Sequence, residues 1–125
     1  MSRSHQEDDE QMALFDWAFR RANSGYLTRL LLHIPNGGYR RPQEAVRLKR
    51  LGVRAGVPDI LLPVPRNEFH GLWIEMKRPI VKGESKPTVS PEQKHWLREL
   101  ESQGYMTGVC YGWIEAKDLI ESYLG

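Results

Sequence analysis

Three charged residues in the middle of the chain have the types and the spacing of a phosphate-hydrolysing site. Asp59 lies near the start of the apolar run Val57–Val64, and Glu75 lies near the end of a second run, Gly71–Met76. Turn-forming residues separate the runs, so the pattern predicts an antiparallel hairpin that brings Asp59 beside Glu75. Lys77 follows Glu75 by two residues and shares its face of the strand. Such a set can hold a hard cation, which removes the repulsion between the carboxylates, and can polarise a phosphate.

A simpler interpretation is a structural ion pair on a solvent-facing surface. For any one of Asp59, Glu75 and Lys77 taken alone, that interpretation is the better one. Together, however, the three interrupt strands that otherwise have the composition of buried strands, and buried charges need partners. The combination therefore favours a functional site.

Longer segments around these residues carry more information than the three charges. They are His33–Gly38, Lys49–Asp59, Ile74–Pro79 and Ser90–Gln93. With the pattern of Asp59 followed by Glu75-x-Lys77, these segments resemble the virus-type replication-repair nuclease (VRR-NUC) family of the PD-(D/E)xK superfamily. The similarity extends over nearly the whole chain, as in the stand-alone phage members of that family.

The resemblance implies a metal-dependent endonuclease that hydrolyses DNA phosphodiester bonds, with a preference for Holliday junctions or other branched DNA. It assigns the metal ion to Glu7, Asp59, Glu75 and the backbone carbonyl of Met76, and the catalytic set to Glu7, Asp59, Glu75, Lys77 and Gln93. All-oxygen ligands fit Mg²⁺ or Mn²⁺ better than Zn²⁺. A non-catalytic nucleic-acid-binding module, a nicking nuclease without structure preference and a hydrolase of small phosphorylated molecules are the alternatives.

The acidic start of the chain has two interpretations. Helical spacing gives the predicted first helix an inner face of Leu14, Phe15, Ala18 and Phe19. Glu7 and Gln11 precede this face at intervals of four residues, and the family resemblance assigns such a Glu and Gln to the site. Glu10 is the competing acid. Charge compensation at the helix N-terminus explains the acidic cluster without any site.

A basic segment lies between the acidic start and the carboxylate pair. From Arg20 to Arg54 the sequence has nine Arg or Lys and one acid, Glu44. The candidate DNA contacts in this region are Asn36, Arg40, Arg41, Arg47, Lys49, Arg50 and Arg54. A basic surface beside metal-binding carboxylates suits a polyanion. A solvated helix face is the alternative, and His33 is either a substrate contact or a structural residue.

The pattern of the whole chain predicts an α/β fold in a single domain, residues 1–125, with residues 1–4 disordered. The expected helices are 6–22, 42–51, 91–103 and 114–124, and the expected strands are 30–34, 57–64, 71–76 and 105–111. The order α-β-α-β-β-α-β-α indicates a mixed central sheet flanked by helices, and the PD-(D/E)xK fold fits it. Ser90 and Gln93 form a predicted capping box, so Gln93 has a structural role as well as the one implied by the family.

Composition narrows the possible functions further. No apolar run is long enough to span a membrane, and the polar N-terminus is not a secretory signal, so the expected location is the cytoplasm, that of the host if the gene is viral. Cys110 is the only cysteine. An intramolecular disulfide and a cysteine-based zinc site are therefore excluded.

The phage relatives that the chain resembles are homodimers, and four Trp and five Tyr give weak independent support for a homodimer.

Overall fold

A four-stranded mixed sheet forms the centre of the protein, and the computed structural model describes residues 5–36 and 41–125. The helices are α1 (His5–Ala22), α2 (Pro42–Arg50), α3 (Pro91–Ser102) and α4 (Trp113–Leu124), and the strands are β1 (Leu32–His33), β2 (Ile60–Leu62), β3 (Leu72–Lys77) and β4 (Met106–Tyr111). This order confirms the α-β-α-β-β-α-β-α prediction. Arg40, most of the Gly-Gly turn and the segment 1–4, which was expected to be disordered, lie outside the described residues.

The strand order in the sheet is β1-β2-β3-β4. The β1–β2 and β2–β3 pairs are antiparallel, whereas β3 and β4 are parallel. A parallel pair needs a crossover connection, and α3 supplies it here. The sheet therefore combines the predicted hairpin with one βαβ unit.

The two faces of the sheet differ in composition. On one face, the side chains are almost fully buried and apolar, with Ile60, Leu62, Leu72, Ile74 and Met76 each 0% exposed. The helices α1 and α4 cover this face. Cys110 also lies in this core, where burial raises the pKa of its thiol to about 12, so the thiol is a small apolar group at neutral pH. The other face contains Glu75 and Lys77 by strand alternation.

Prolines make the first motif strand shorter than the sequence predicts. Instead of Val57–Val64, the strand covers only Ile60–Leu62. Pro58 and Pro63 flank it, and a proline has no N–H to donate to a neighbouring strand. As a result, Asp59 immediately precedes β2 rather than lying within it.

The first helix is rotated relative to the prediction. Leu14, Trp17 and Ala18 are its buried residues, which is the i, i+3, i+4 pattern of a helix packed on one side. Phe19, predicted to point inward, is 65% exposed. Trp17 takes the inward position because the buried stripe is centred about 75° around the helix from the predicted one, at 100° per residue.

The remaining apolar predictions hold in part. In α3, Trp96, Leu97 and Leu100 are only partly buried. In α4, the buried side chains include Ala116, Ile120 and Tyr123, as expected.

Within the described ranges 5–36 and 41–125, no helix combines the length and apolar character that a membrane crossing requires.

Candidate active site

Asp59 and Glu75 meet where β2 and β3 begin to separate. Ile60 pairs with Ile74, so the next antiparallel pair in that register is Asp59 and Glu75. Each residue is 2% exposed. Asp59 Oδ2 accepts a hydrogen bond of 2.7 Å from the Met76 backbone N–H. The predicted side-by-side arrangement of the two carboxylates is therefore present, and it is inside the protein.

Lys77 completes the charged group on the same face. Its Nζ lies 3.7 Å from Glu75 Oε2, and Lys77 as a whole is 7% exposed. The amine also donates to Gln93 Oε1 at 3.0 Å. Lys77 is therefore held by a hydrogen bond to Gln93 and by the charge of Glu75, and an ammonium group has three N–H donors with which it can also serve an oxygen of a substrate.

Gln93 connects the helix α3 to the charged pair. Its Nε2 donates to Glu75 Oε2 at 2.9 Å, while its Oε1 accepts from Lys77 and from the Ser90 backbone N–H. The Ser90 hydroxyl in turn accepts from the Gln93 N–H at 3.1 Å, which completes the capping box. Gln93 therefore makes both predicted sets of contacts: it caps the helix, and it contacts the carboxylate and the lysine.

The loop after β1 holds Asp59 from the other side. Asn36 Nδ2 donates to the Val57 carbonyl at 3.2 Å and lies 3.4 Å from Asp59 Oδ1. The Asp59 carbonyl accepts from the Ile34 N–H at 2.7 Å and from His33 Nδ1 at 2.8 Å. Asn36, predicted to contact DNA, thus directs its amide to the site itself. His33 must carry its proton on Nδ1, because its partner is a carbonyl oxygen.

The helical acids separate into different environments. Glu10 Oε1 accepts from the Trp113 N–H at 2.8 Å, so this carboxylate satisfies a donor at the start of α4. Glu7 is partly buried in the first turn of α1. Across residues 5–36 and 41–125, no three Asp, Glu, His or Cys side chains converge closely enough to hold one metal ion. The structure therefore brings together Asp59 and Glu75, without Glu7 as a third close ligand.

The donor set fits a hard divalent cation. The Met76 N–H points toward Asp59, and in a strand the carbonyl of a residue points to the same side as its N–H. The Met76 carbonyl is therefore directed toward the same edge as the Asp59 carboxylate. Two carboxylates and a carbonyl are the oxygen ligands that Mg²⁺ and Mn²⁺ prefer.

The basic helix α2 lies entirely on the surface. None of its residues is buried, and its last turn contains Arg47, Lys49 and Arg50. Its C-terminal end is closed by two hydrogen bonds, Gly52 N–H to Lys49 O and Val53 N–H to Leu48 O, which form a Schellman motif. The Arg54 guanidinium donates to the Lys49 carbonyl at 3.1 Å. Arg41 is likewise exposed.

Comparison with known proteins agrees with this geometry. The family model for the VRR-NUC domain matches residues 5–113. The chain belongs to the VRR-NUC family. A solved structure described as "VRR_NUC domain protein" is 30% identical, superposes with a TM-score of 0.76 and is aligned over 98% of this chain and 93% of its own. A search of the curated proteins gave no match.

Two features of this VRR-NUC domain were missed by the sequence reasoning. The first is the direction of the Asn36 amide and of His33, which depends on where the loop after β1 folds. The second is the approach of the segment before Asp59 to α3. Trp96 Nε1 donates to the Ala55 carbonyl at 3.1 Å, and Gly56 has φ +86°. In the sequence, the only sign of this approach is a glycine in a loop, because glycine readily adopts a positive φ.

Gly56 sets the distance between the Asp59 segment and the helix that carries Gln93. A Cβ at Gly56 would lie 2.7 Å from the Glu92 Cβ, whereas a Cβ at Gly52, which also has positive φ, would meet nothing within 4 Å. We expect Gly52→Ala to cost about 1 kcal/mol from backbone strain alone. Gly56→Ala should cost about 1–3 kcal/mol more, because α3 must move. Urea unfolding of both variants measures this difference, and equal losses would show that the contact with α3 is unimportant.

Proposed function

We propose that this VRR-NUC protein is a Mg²⁺- or Mn²⁺-dependent endonuclease that hydrolyses phosphodiester bonds in DNA. The observation that carries the proposal is the buried group of Asp59, Glu75 and Lys77, joined by Gln93. A protein that only binds DNA has no need to bury two adjacent carboxylates, since burying charge is unfavourable without compensation. The VRR-NUC membership supports a nuclease activity.

Each residue has a distinct part in the proposed reaction. Asp59, Glu75 and the Met76 carbonyl would hold the metal ion, with Glu7 as a further ligand through water. When bound, such an ion would stabilise charge at the scissile phosphate and lower the pKa of a coordinated water. Lys77 would donate to the attacking water, which it orients, or to the phosphate oxygens, whose charge it stabilises.

Gln93 acts as a positioning residue for Lys77. Its amide oxygen accepts from the lysine while its amide nitrogen donates to Glu75, so it fixes the amine relative to the carboxylate. Because Gln93 is also anchored to Ser90 in the capping box, the first turn of α3 determines where the lysine lies. With its amine fixed between Gln93 and Glu75, Lys77 is placed for an electrostatic role at the phosphate.

The basic residues of α2 and its flanks suit the DNA backbone. Arg47 and Arg50 are three residues apart and therefore share one face of the helix, and both are exposed. The proposed contacts are Arg40, Arg41, Arg47, Lys49, Arg50 and Arg54. This set extends well beyond what a small phosphorylated substrate needs, which favours a polymeric polyanion.

The protein also works as a homodimer in this proposal. The described Trp and Tyr residues are buried or partly buried, so they do not provide an exposed interface. Instead, α1 exposes Met12 and Phe19, at 58% and 65%, with Phe15 between them. In an antiparallel pair of α1 helices centred near Phe15, Met12 of one copy faces Phe19 of the other. The same pairing brings the acidic first half of α1 to the basic last turn of its partner.

A two-fold dimer has two active sites related by the symmetry of a four-way junction. We therefore propose that Holliday junctions are cut in preference to plain duplex, as in the phage proteins that the sequence resembles. A nicking nuclease without structure preference, acting as a monomer, is the alternative.

Shape-preserving variants test the chemistry. Asp59→Asn, Glu75→Gln and Lys77→Met should each lower the cleavage rate about a hundredfold or more, because the first two remove a charged metal ligand and the third removes the positive charge beside the phosphate. The matched control is the partly exposed ion pair Lys117–Glu121 on α4, at 3.2 Å, in the variants Lys117→Met and Glu121→Gln. Mn²⁺ should raise the unfolding temperature of the native protein and leave that of Asp59→Asn unchanged. Full activity in any of the three site variants would remove that residue from the proposed site.

Salt dependence tests the basic helix. Replacing Arg47 and Arg50 together with Ala should weaken binding to all DNA sequences and reduce the slope of log affinity against log salt by about 2, since each phosphate contact releases counterions. Lys117→Ala, on α4, is the control and should leave the slope unchanged. The same slope in the double variant and the native protein would mean that α2 faces away from DNA.

Molecular mass tests the dimer. In light scattering, the native protein should have twice the 14.5 kDa mass of one chain. The double variant Met12→Ser/Phe19→Ser should be a monomer with the mass of one chain. Val46→Ser is the control, because Val46 is 61% exposed on α2, outside the proposed interface. The monomeric variant should also lose its preference for four-way junctions. A monomeric native protein that cuts junctions and linear duplex equally would contradict this prediction.

A further inference from the structure

The loop between β3 and α3, residues 78–90, begins directly after Lys77 and is held in place at its root. The Lys77 carbonyl accepts from the Gly112 N–H at 2.9 Å. Pro79 packs against the same glycine, since a Cβ at Gly112 would lie 3.2 Å from Pro79 Cγ. The loop therefore leaves the sheet in a fixed direction at the end where the charged group lies.

The tip of this loop is a hydrogen-bonded turn rather than an irregular segment. The Glu84 N–H donates to the Val81 carbonyl at 3.0 Å, and Gly83 has φ +86°. Arg78 crosses the base of the turn, with Nη2 donating to the Ser85 carbonyl at 2.9 Å. Its Nη1 lies 3.8 Å from Glu84 Oε1. The only acid in the loop is thus compensated within the loop.

The return of the loop passes over the active-site face. Tyr111 is the register partner of Lys77 in the parallel β3–β4 pair, so their side chains lie on the same face. The Lys86 Nζ lies 4.8 Å from the centroid of the Tyr111 ring, a cation–π contact. Lys86 is therefore held next to the strand position of Lys77.

Two β-branched side chains are exposed at the tip of this basic loop. Ile80 is 51% exposed and Val81 is 41% exposed, and Arg78, Lys82 and Lys86 are its bases. Scattered exposed apolar residues need no explanation by themselves. Here, however, the pair is adjacent, displayed by a turn with internal hydrogen bonds, and surrounded by charges that suit phosphates.

We propose that Ile80 and Val81 form a wedge that packs against an unstacked base next to the scissile phosphate. Apolar side chains of this kind are inserted between base steps by proteins that open or bend DNA. Ile80 is three residues from Lys77, so their Cα atoms are at most about 11 Å apart, or about three nucleotides along one strand. The wedge would therefore contact bases at a branch point when the cut is made beside that branch. This inference rests on the proposed DNA cleavage.

The wedge predicts a selective loss in the variant Ile80→Ser/Val81→Ser. Single-turnover cleavage of branched DNA should fall about tenfold, because the unstacked base loses its packing partner, while cleavage of single-stranded DNA should stay within about twofold of native. Leu30→Ser is the matched control. Leu30 is 40% exposed, and it lies toward the other end of the sheet, since Leu32 pairs with Leu61 and His33 with Ile60.

A binding measurement separates the wedge from catalysis. In the Lys77→Met background, in which cleavage should be about a hundredfold slower or more, binding to a junction with 2-aminopurine at the branch should raise its fluorescence as the base unstacks. The added Ile80→Ser/Val81→Ser change should abolish that rise, whereas Leu30→Ser should preserve it. An unchanged rise, or no rise in Lys77→Met itself, would overturn the wedge. If the native protein cuts no DNA at all, the proposed function fails, and the fluorescence still decides the wedge.

Discussion

Repulsion between two adjacent buried carboxylates is the constraint on which the site depends. Asp59 and Glu75 are almost fully inaccessible to solvent, and their charges would destabilise the fold without compensation. The surrounding groups each donate hydrogen bonds to one of them: Met76 N–H and Asn36 to Asp59, and Gln93 to Glu75. Lys77 adds a positive charge. The compensation comes from three different elements, so the site is assembled only when the sheet, α3 and the loop after β1 are all in place.

Asp59 is held by its backbone as well as by its side chain. Its carbonyl accepts from both Ile34 N–H and His33 Nδ1, which gives the two-residue strand β1 a specific purpose. A strand this short contributes little pairing of its own. Its pairing with β2 ends at the Asp59 carbonyl, next to Pro58, which has no N–H to offer. A proton on His33 Nδ1 is required for this contact, so His33 helps to hold the backbone of Asp59.

The parts of the structure that the sequence predicted are those set by local patterns. The position of Asp59 beside Glu75 follows from a hairpin with period two, and the Gln93 cap follows from Ser-Pro-x-Gln. The rotation of α1, with Phe19 exposed and Trp17 buried, could not be predicted, because both residues are aromatic and only the position of the sheet selects between them. The contact of Gly56 with Glu92 was also hidden, since it joins segments 36 residues apart in the chain. Roles of Glu7 and Gln93 in the chemistry stay predictions.

In the proposed function, stability and DNA contact depend on different parts of this fold. The apolar face under α1 and α4 contains the buried core, whereas α2 buries none of its residues. Its helical form depends on Pro42 at its first turn and on the Schellman motif at Gly52, both local features. Arginine and lysine on such a helix can change without disturbing the core, whereas Gln93 and Gly56 cannot, because they connect α3 to the carboxylate pair. Substitutions in α2 should therefore alter how strongly DNA is bound, and substitutions at the α3 contact should alter the geometry in which it is cut.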